Sequence, residues 1–339
     1  MEWYLPLIWA ALIGAAVAMY VILDGFDLGI GILFPFTKHE AERDQMMNSV
    51  APFWDGNETW LVLGGGGLLA AFPLAYAVIM PAVYLPIILM LLALIFRGVA
   101  FEFRWVARSS KVWWNIAFAG GSFVAAFSQG LVLGGLLQGI EVQGRQFAGG
   151  PFDWLTPYSL LVAVGLAAGY TLLGAGWLVW RTAGELQAKA RRWGWIAAAA
   201  TAALLAAVSL ATLVVHPRIA ARWGFEDGAI DLATLLPLTP IPLLGLAGLA
   251  IVAWGLRGRQ ATALLGAYLV FLSGYMGLAV SFFPNIVPYG MDFRQAANAD
   301  NALGLMLVGV GILLPVILGY TVWVYWLFRG KVGAHAGYH

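Results

Sequence analysis

The sequence predicts an all-α polytopic membrane protein with nine transmembrane helices. Of its 339 residues, 62% are hydrophobic and 10% are charged, and the mean hydropathy is +0.84. Several uninterrupted apolar runs are about 20 residues long, which is the length that a helix needs to cross a bilayer. The strands of a membrane β-barrel would instead give alternating segments of about ten residues. We therefore expect one transmembrane domain over residues 1–339.

The individual spans follow from the apolar runs in chain order. The first run begins without a basic segment and is longer than a signal peptide, so we expect it to be retained. None of the connections is long enough to form a separate domain. The predicted spans are Trp3–Phe34, Pro52–Phe72, Tyr76–Phe96, Trp113–Leu137, Pro157–Trp180, Gly194–Val215, Leu236–Leu256, Ala261–Phe283 and Ala302–Phe328.

The basic residues predict the orientation of these helices, because cytoplasmic loops retain Lys and Arg. If the connection between the first two spans is cytoplasmic, 14 of the 18 basic residues lie on the cytoplasmic side. The remaining four are Arg145, Arg218, Arg222 and Arg294. This distribution predicts an outer N-terminus and a cytoplasmic C-terminus, and it requires an odd number of spans.

A short internal repeat divides the chain into two halves. The segment AMYVIL at residues 18–23 is matched by AGYTLL at residues 168–173, an offset of 150 residues. This offset places the fifth span on the first in the same orientation. It predicts two four-helix bundles, residues 1–150 and 151–300, followed by a last helix and cytoplasmic tail, residues 301–339. Gly174 and Trp177 replace Asp24 and Asp27 in the second copy, so we expect the chemistry to lie in the first half.

Four carboxylates lie in the first two spans. Asp24 and Asp27 form one i, i+3 pair, and Asp55 and Glu58 form another, so each pair lies on one helix face. A charged side chain at the centre of a membrane helix costs about 2.5 to 3.5 kcal/mol, and such residues often line proton or ion pathways. We expect Asp55 near the cytoplasmic face and the first pair roughly 10 to 18 Å deeper, at 1.5 Å per residue. The alternative is that these acids only hold helices together.

Arg97 follows the predicted third span, in the segment FRGVAFE that begins at Phe96. An arginine at a span end commonly extends its charged group to the membrane surface. Equally, it can pair with an intramembrane acid. The sequence alone leaves both interpretations of Arg97 open.

Haem is one cofactor that a helical membrane protein can bind, and its axial ligand would have to lie within a span. His39 is predicted in a loop, His216 at an outer span end, and His335 and His339 in the tail. Met276 and Met306 lie in spans, where methionine usually serves packing. We therefore expect no haem to be bound by this chain alone.

The chain has no cysteine, and we expect neither a metal site nor a nucleic-acid partner.

Three motifs carry a resemblance to a known family. The first hairpin reads DGFDLG from Asp24 and NSVAPFWDGNETW from Asn48, the third span ends in FRGVAFE, and the last span ends in YWLFRGK from Tyr325. These segments resemble subunit II of the cytochrome bd-type quinol oxidases, including the cyanide-insensitive branch. The resemblance covers nearly the whole chain.

The resemblance implies a nine-span, non-haem subunit of a respiratory complex in the bacterial cytoplasmic (inner) membrane. Its partner would be a larger subunit I, which carries haem b, haem d and the quinol-oxidising loop. The complex would oxidise quinol and reduce oxygen to water, and this chain would not be catalytic alone. The resemblance leaves open a structural quinone in this chain and a small single-span third subunit.

The resemblance also implies a cytoplasmic proton path through this chain. The family's acids fall on Asp55, Asp24 and Asp27, while the position of Glu58 also accepts Gln in similar motifs. We expect a broad intramembrane interface with subunit I, because buried acids and glycine-rich faces are costly in lipid.

The residues themselves also suit two other functions. A proton-coupled secondary transporter would have buried acids and repeats, but the repeats would commonly be inverted and the helices broken near mid-membrane. A structural scaffold would keep full activity when its acids are neutralised.

Overall fold

The computed structural model describes residues 4–107, 109–226 and 229–333, which form a bundle of α-helices with three short hairpins. The predicted span start at Trp3, the basic residue Arg108 and the tail histidines His335 and His339 lie outside these residues. The helices are α1 Tyr4–Leu33, α2 Glu40–Asn48, α3 Trp54–Ala71, α4 Pro73–Ala82, α5 Tyr84–Val106, α6 Lys111–Gln138, α7 Pro157–Arg181, α8 Gly184–Val215, α9 Pro217–Arg222, α10 Leu232–Leu238, α11 Pro240–Leu256, α12 Gln260–Phe282 and α13 Asp300–Leu327. A 3₁₀ helix, Phe34–Phe36, extends α1, and the hairpin strands are β1 Val142–Gln143 with β2 Gln146–Phe147, β3 Phe225–Glu226 with β4 Ala229–Ile230, and β5 Asn285–Val287 with β6 Met291–Asp292.

Among the described residues, eight helical segments are long and apolar enough to cross a bilayer. They confirm a polytopic, helical membrane protein. They are Tyr4–Phe36, Tyr84–Val106, Lys111–Gln138, Pro157–Arg181, Gly184–Val215, Leu232–Leu256, Ala261–Phe282 and Asp300–Leu327. The predicted second span corresponds to α3, whose 18 residues are less apolar because its first turns carry Asp55, Asn57 and Glu58. The count of nine and the orientation therefore stay predictions.

Two predicted spans, the third and the sixth, have wrong boundaries. The third span was expected over Tyr76–Phe96, but the structure has the short helix α4 there and a separate helix α5. Pro81 and Pro86 flank the break, and proline removes a backbone hydrogen bond and crowds the preceding turn. The sixth span was expected to begin at Gly194, but α8 begins ten residues earlier because its polar first turns continue the helix.

The connection between the first two predicted spans is helical rather than a loop. It contains α2, and the turn after α2 folds back into the bundle, where Met46, Met47 and Val50 are fully buried. The Trp177 indole of α7 donates a hydrogen bond to the Ser49 carbonyl at 3.2 Å. This inward turn brings the first turns of α3 against α1, with Asn57 buried and Asp55 exposed.

The acid-bearing part of α1 crosses α7 at backbone contact. A Cβ on Gly29 would lie 1.8 Å from the Tyr170 carbonyl oxygen, and one on Gly174 would lie 2.4 Å from the Gly29 carbonyl carbon. Close by, Phe26 stacks on Trp177 with ring centroids 4.0 Å apart. The two glycines therefore let this part of α1 run through the centre of the bundle, where residues 24–31 are all buried.

The helices pack in the same order in the two halves of the chain. α1 contacts α3 and α6, and α5 contacts α6; correspondingly, α7 contacts α8 and α12, and α11 contacts α12. The last helix, α13, lies at the edge, and Leu303 is its one buried residue. The boundary between the halves remains a prediction.

Candidate functional site: a buried cluster of acids and arginine

Arg97 lies well inside α5 and is fully buried. Its Nη1 donates to Asp24 Oδ1 at 2.8 Å, and its Nη2 donates to Glu58 Oε1 at 2.5 Å. The guanidinium therefore joins one acid from each helix of the first hairpin. Gly121 of α6 lets the helices come this close, since a Cβ there would lie 2.6 Å from the Ala93 carbonyl oxygen. Arg97 does not extend to the membrane surface, because its helix continues for more than two further turns.

Asp27 is held by an amide rather than by a cation. Its Oδ2 accepts a hydrogen bond from Asn57 Nδ2 at 2.7 Å. The Asn57 Oδ1 in turn accepts from the Tyr325 hydroxyl of α13 at 2.9 Å. Sequence reasoning missed both Asn57 and Tyr325, although each lies in a motif that carries the family resemblance. The signal for Asn57 was its position between the two acids of α3.

A second hydrogen-bonded group lies on the other side of Asp24. Tyr20 lies four residues before Asp24 in α1, and therefore on the same face of the helix. Gln129 of α6 donates to the Tyr20 hydroxyl at 2.8 Å and accepts from the Tyr170 hydroxyl at 2.7 Å. Tyr170 occupies the repeat position equivalent to Tyr20. The two halves of the chain thus both contribute to the surroundings of Asp24.

The four predicted acids lie at nearly the same level of the bundle. Asn57 contacts Asp27, and Glu58 shares Arg97 with Asp24. Asp55 precedes Glu58 by three residues, which is about 4.5 Å along a helix. The expected separation of roughly 10 to 18 Å in depth is therefore wrong, because α2 and its inward turn bring the start of α3 into the bundle. The acids differ instead in burial: Asp55 is exposed, while Asp24 and Asp27 are enclosed.

The cluster has more acids than cations. Asp24, Asp27 and Glu58 face a single arginine, so full ionisation would leave two uncompensated negative charges in a low-dielectric interior. Such charges are strongly unfavourable without partners, and neighbouring carboxylates exchange protons as a coupled set. The Asp24 Oδ2 and Asp27 Oδ1 atoms are buried and have no hydrogen-bond partner among the described residues. The arrangement is therefore suited to bind and release protons at these two oxygens.

A separate ion-pair network anchors α2. The buried guanidinium of Arg104 donates to Glu40 at 2.9 Å. The Lys189 ammonium of α8 donates to Glu42 at 2.6 Å. Burial raises the pKa of Glu42, but hydrogen bonds from Lys189 and Thr37 lower it by more, so the pKa lies below its ordinary value. These contacts fix the helix that precedes the inward turn and so support the position of α3.

The histidines of the described residues lie outside the membrane spans. His39 and His216 occupy the N-cap positions of α2 and α9. In the same part of the chain, no group of three or more His, Cys, Asp or Glu side chains is suited to a metal ion. These spans therefore offer no histidine as an axial haem ligand.

The comparison with known families settles the class of the protein. Residues 5–328 match the family described as cytochrome bd terminal oxidase subunit II. The chain belongs to this family. It is accordingly a subunit of a cytochrome bd quinol oxidase, an oxidoreductase complex of the respiratory chain, and not a secondary transporter. The haems of this family are carried by the partner subunit, so membership implies a subunit I beside this chain in the membrane.

Individual relatives match along nearly the whole chain. Subunit 2 of the cytochrome bd-I ubiquinol oxidase of Escherichia coli (strain K12) is 29% identical, with 97% of this chain and 95% of the relative covered. Subunit 2 of the cytochrome bd ubiquinol oxidase of Bacillus subtilis (strain 168) is 30% identical, with 96% of each covered. The fold is similar to that of a chain in the structure of the bd oxidase from Geobacillus thermodenitrificans, with a TM-score of 0.72. The two sequences are 15% identical, and the match covers 97% of this chain and 100% of the other.

Proposed function

We propose that this chain delivers protons from the cytoplasm toward the oxygen-reducing haem site of subunit I, and that it also supports that subunit in the bacterial cytoplasmic membrane. Reduction of oxygen to water consumes protons continually, so the haem site needs a supply. The observation that carries the proposal is the graded burial of the acids. Asp55 is exposed, the Glu58 side chain is 27% exposed, and Asp24 and Asp27 are 0% and 1% exposed.

The proposed path has three steps. A proton is taken up at Asp55 and passes to Glu58, one helical turn away on the same face of α3. Glu58 and Asp24 are bound to the same guanidinium, so a change of charge on one acid alters the proton affinity of the other. Asp27, on the adjacent turn of α1, completes the buried pair. Uptake from the cytoplasm rests on the predicted orientation of the first hairpin.

We further propose that one exposed face of α3 meets subunit I. Asp55, Thr59, Val62, Gly66 and Leu69 are exposed and recur at intervals of four and three residues, which places them in one stripe. A carboxylate facing lipid would cost about 2.5 to 3.5 kcal/mol near the helix centre. Covering this stripe with a protein partner avoids that cost, and Asp55, in the first turn of α3, remains at the open end of the interface, where it takes up protons. Quinol, haem b and haem d would then all bind to subunit I.

Substitution of Asp55 tests the proton path in the assembled complex. We expect Asp55→Asn to lower oxygen consumption per haem at least tenfold, equivalent to about 1.4 kcal/mol of barrier, because proton delivery becomes limiting. Haem content and assembly should be unchanged. The matched control is Asp153→Asn in an exposed outer loop, where the amide oxygen can still accept the hydrogen bond from Gly150. Wild-type turnover of Asp55→Asn would mean that the acids are structural or that protons reach the haem through subunit I alone.

A further inference from the structure

We infer that Asn57, held by the Leu23 carbonyl and Tyr325, is a positioning residue that makes Asp27 bind and release its proton at Oδ1. The inference rests on the proposed function, since it assigns a role within the same buried cluster. Asn57 is 1% exposed, and each of its amide groups has a partner. One amide hydrogen is donated to Asp27 at 2.7 Å, and Nδ2 also lies 3.3 Å from the Leu23 carbonyl oxygen.

The Leu23 carbonyl determines which way the amide faces, because a backbone carbonyl can only accept a hydrogen bond. The nitrogen side of the amide therefore faces Leu23 and Asp27, and on the other side the Tyr325 hydroxyl donates to Asn57 Oδ1 at 2.9 Å. In the reverse orientation, the amide oxygen would face the Leu23 carbonyl oxygen, and neither oxygen could donate. That arrangement loses a hydrogen bond in a buried site, where an unsatisfied polar group costs about 1 to 3 kcal/mol. Asn57 therefore has one favourable orientation.

The fixed amide makes the two oxygens of Asp27 inequivalent. Oδ2 accepts from Asn57 and is therefore the carbonyl-like oxygen when the acid is protonated. Oδ1 has no hydrogen-bond partner among the described residues, so it is the oxygen that carries the proton. Asp24, by contrast, is bound to the Arg97 cation at 2.8 Å. Within the buried pair, Asp27 is thus the acid without a cation, and the proton is assigned to it.

Infrared difference spectroscopy of the assembled oxidase tests this assignment without relying on turnover. We expect a carboxylic C=O band that disappears in Asp27→Asn. In Asn57→Leu the band should move to higher wavenumber, because the carbonyl oxygen loses its hydrogen-bond donor. Tyr325→Phe removes only the hydroxyl and should shift or broaden the same band. The control, Tyr158→Phe, removes a hydroxyl that bonds Thr212 at 2.6 Å, away from the cluster, and should leave the band unchanged.

Turnover provides the second readout. Asn57→Leu should slow oxygen consumption about tenfold and raise its solvent deuterium isotope effect, while Tyr325→Phe should slow it about threefold. An unmoved band in both variants, or no band that depends on Asp27, would overturn the inference. If Asn57→Leu fails to assemble, Tyr325→Phe alone decides. Failure of the proposed function is distinguishable, because then Asp55→Asn and Asp27→Asn would also retain wild-type turnover.

Discussion

Arg97 is the residue whose removal should destabilise the protein most. It is fully buried and binds Asp24 at 2.8 Å and Glu58 at 2.5 Å. Arg97→Met keeps most of the side-chain volume but leaves Asp24 without a cation. Breaking a buried ion pair by removing one partner costs about 3 to 5 kcal/mol. Glu58 adds less to this cost, because it is partly exposed and better solvated. The ratio of folded to unfolded protein should therefore fall by roughly 10² to 5 × 10³.

Denaturant unfolding of the purified complex in mixed micelles measures this change. The double variant Asp24→Asn, Arg97→Met should be more stable than Arg97→Met alone, by about 1 to 3 kcal/mol, because no buried charge is left without a partner. The control, Arg145→Met, removes an exposed arginine and should change stability by less than about 0.5 kcal/mol. Equal stability of the double variant and Arg97→Met would refute the argument that an uncompensated buried charge causes the loss.

Three other substitutions address packing, pH and the partner face. Gly29→Ala should prevent assembly, because its Cβ would overlap the backbone of α7. The control Gly274→Ala has open space around it and should assemble normally. The yield of haem-containing complex measures the difference between the two variants. Burial raises the pKa of Glu42, but its hydrogen bonds lower it by more. The ionised Glu42 therefore stabilises the fold above about pH 4.3, and this stabilisation is lost as the pH falls below that value. Glu42→Gln should accordingly reduce the loss of thermal stability between pH 7 and pH 4. Val62→Trp on the α3 stripe should weaken copurification of subunit I, and Val214→Trp on α8, equally exposed to the surroundings, should not.

The sequence was sufficient for features that depend on local composition. Apolar runs predicted most spans, and the i, i+3 spacing placed each pair of acids on one helix face. It was insufficient where the chain contacts itself over long distances. Tyr325 and Asn57 are 268 residues apart, and no local pattern indicates that they meet. The depth of Asp55 was misjudged for the same reason, because the inward turn after α2 is stabilised by contacts such as that of Trp177 with Ser49.

The hydrogen bond from Tyr325 gives the end of the chain a role in the timing of biogenesis. The tail after α13 is tied down by Val332, whose N–H donates to the Arg181 carbonyl at 2.8 Å and whose carbonyl accepts from Gln45 at 2.7 Å. Because a chain is made and inserted from its N-terminus, these contacts form only after all preceding helices are in the membrane. The acids of the first hairpin are therefore synthesised early, but Asn57, which donates to Asp27, receives its hydrogen bond from Tyr325 last. A nascent or truncated chain that lacks α13 would contain every acid of the proposed path without this hydrogen bond to Asn57.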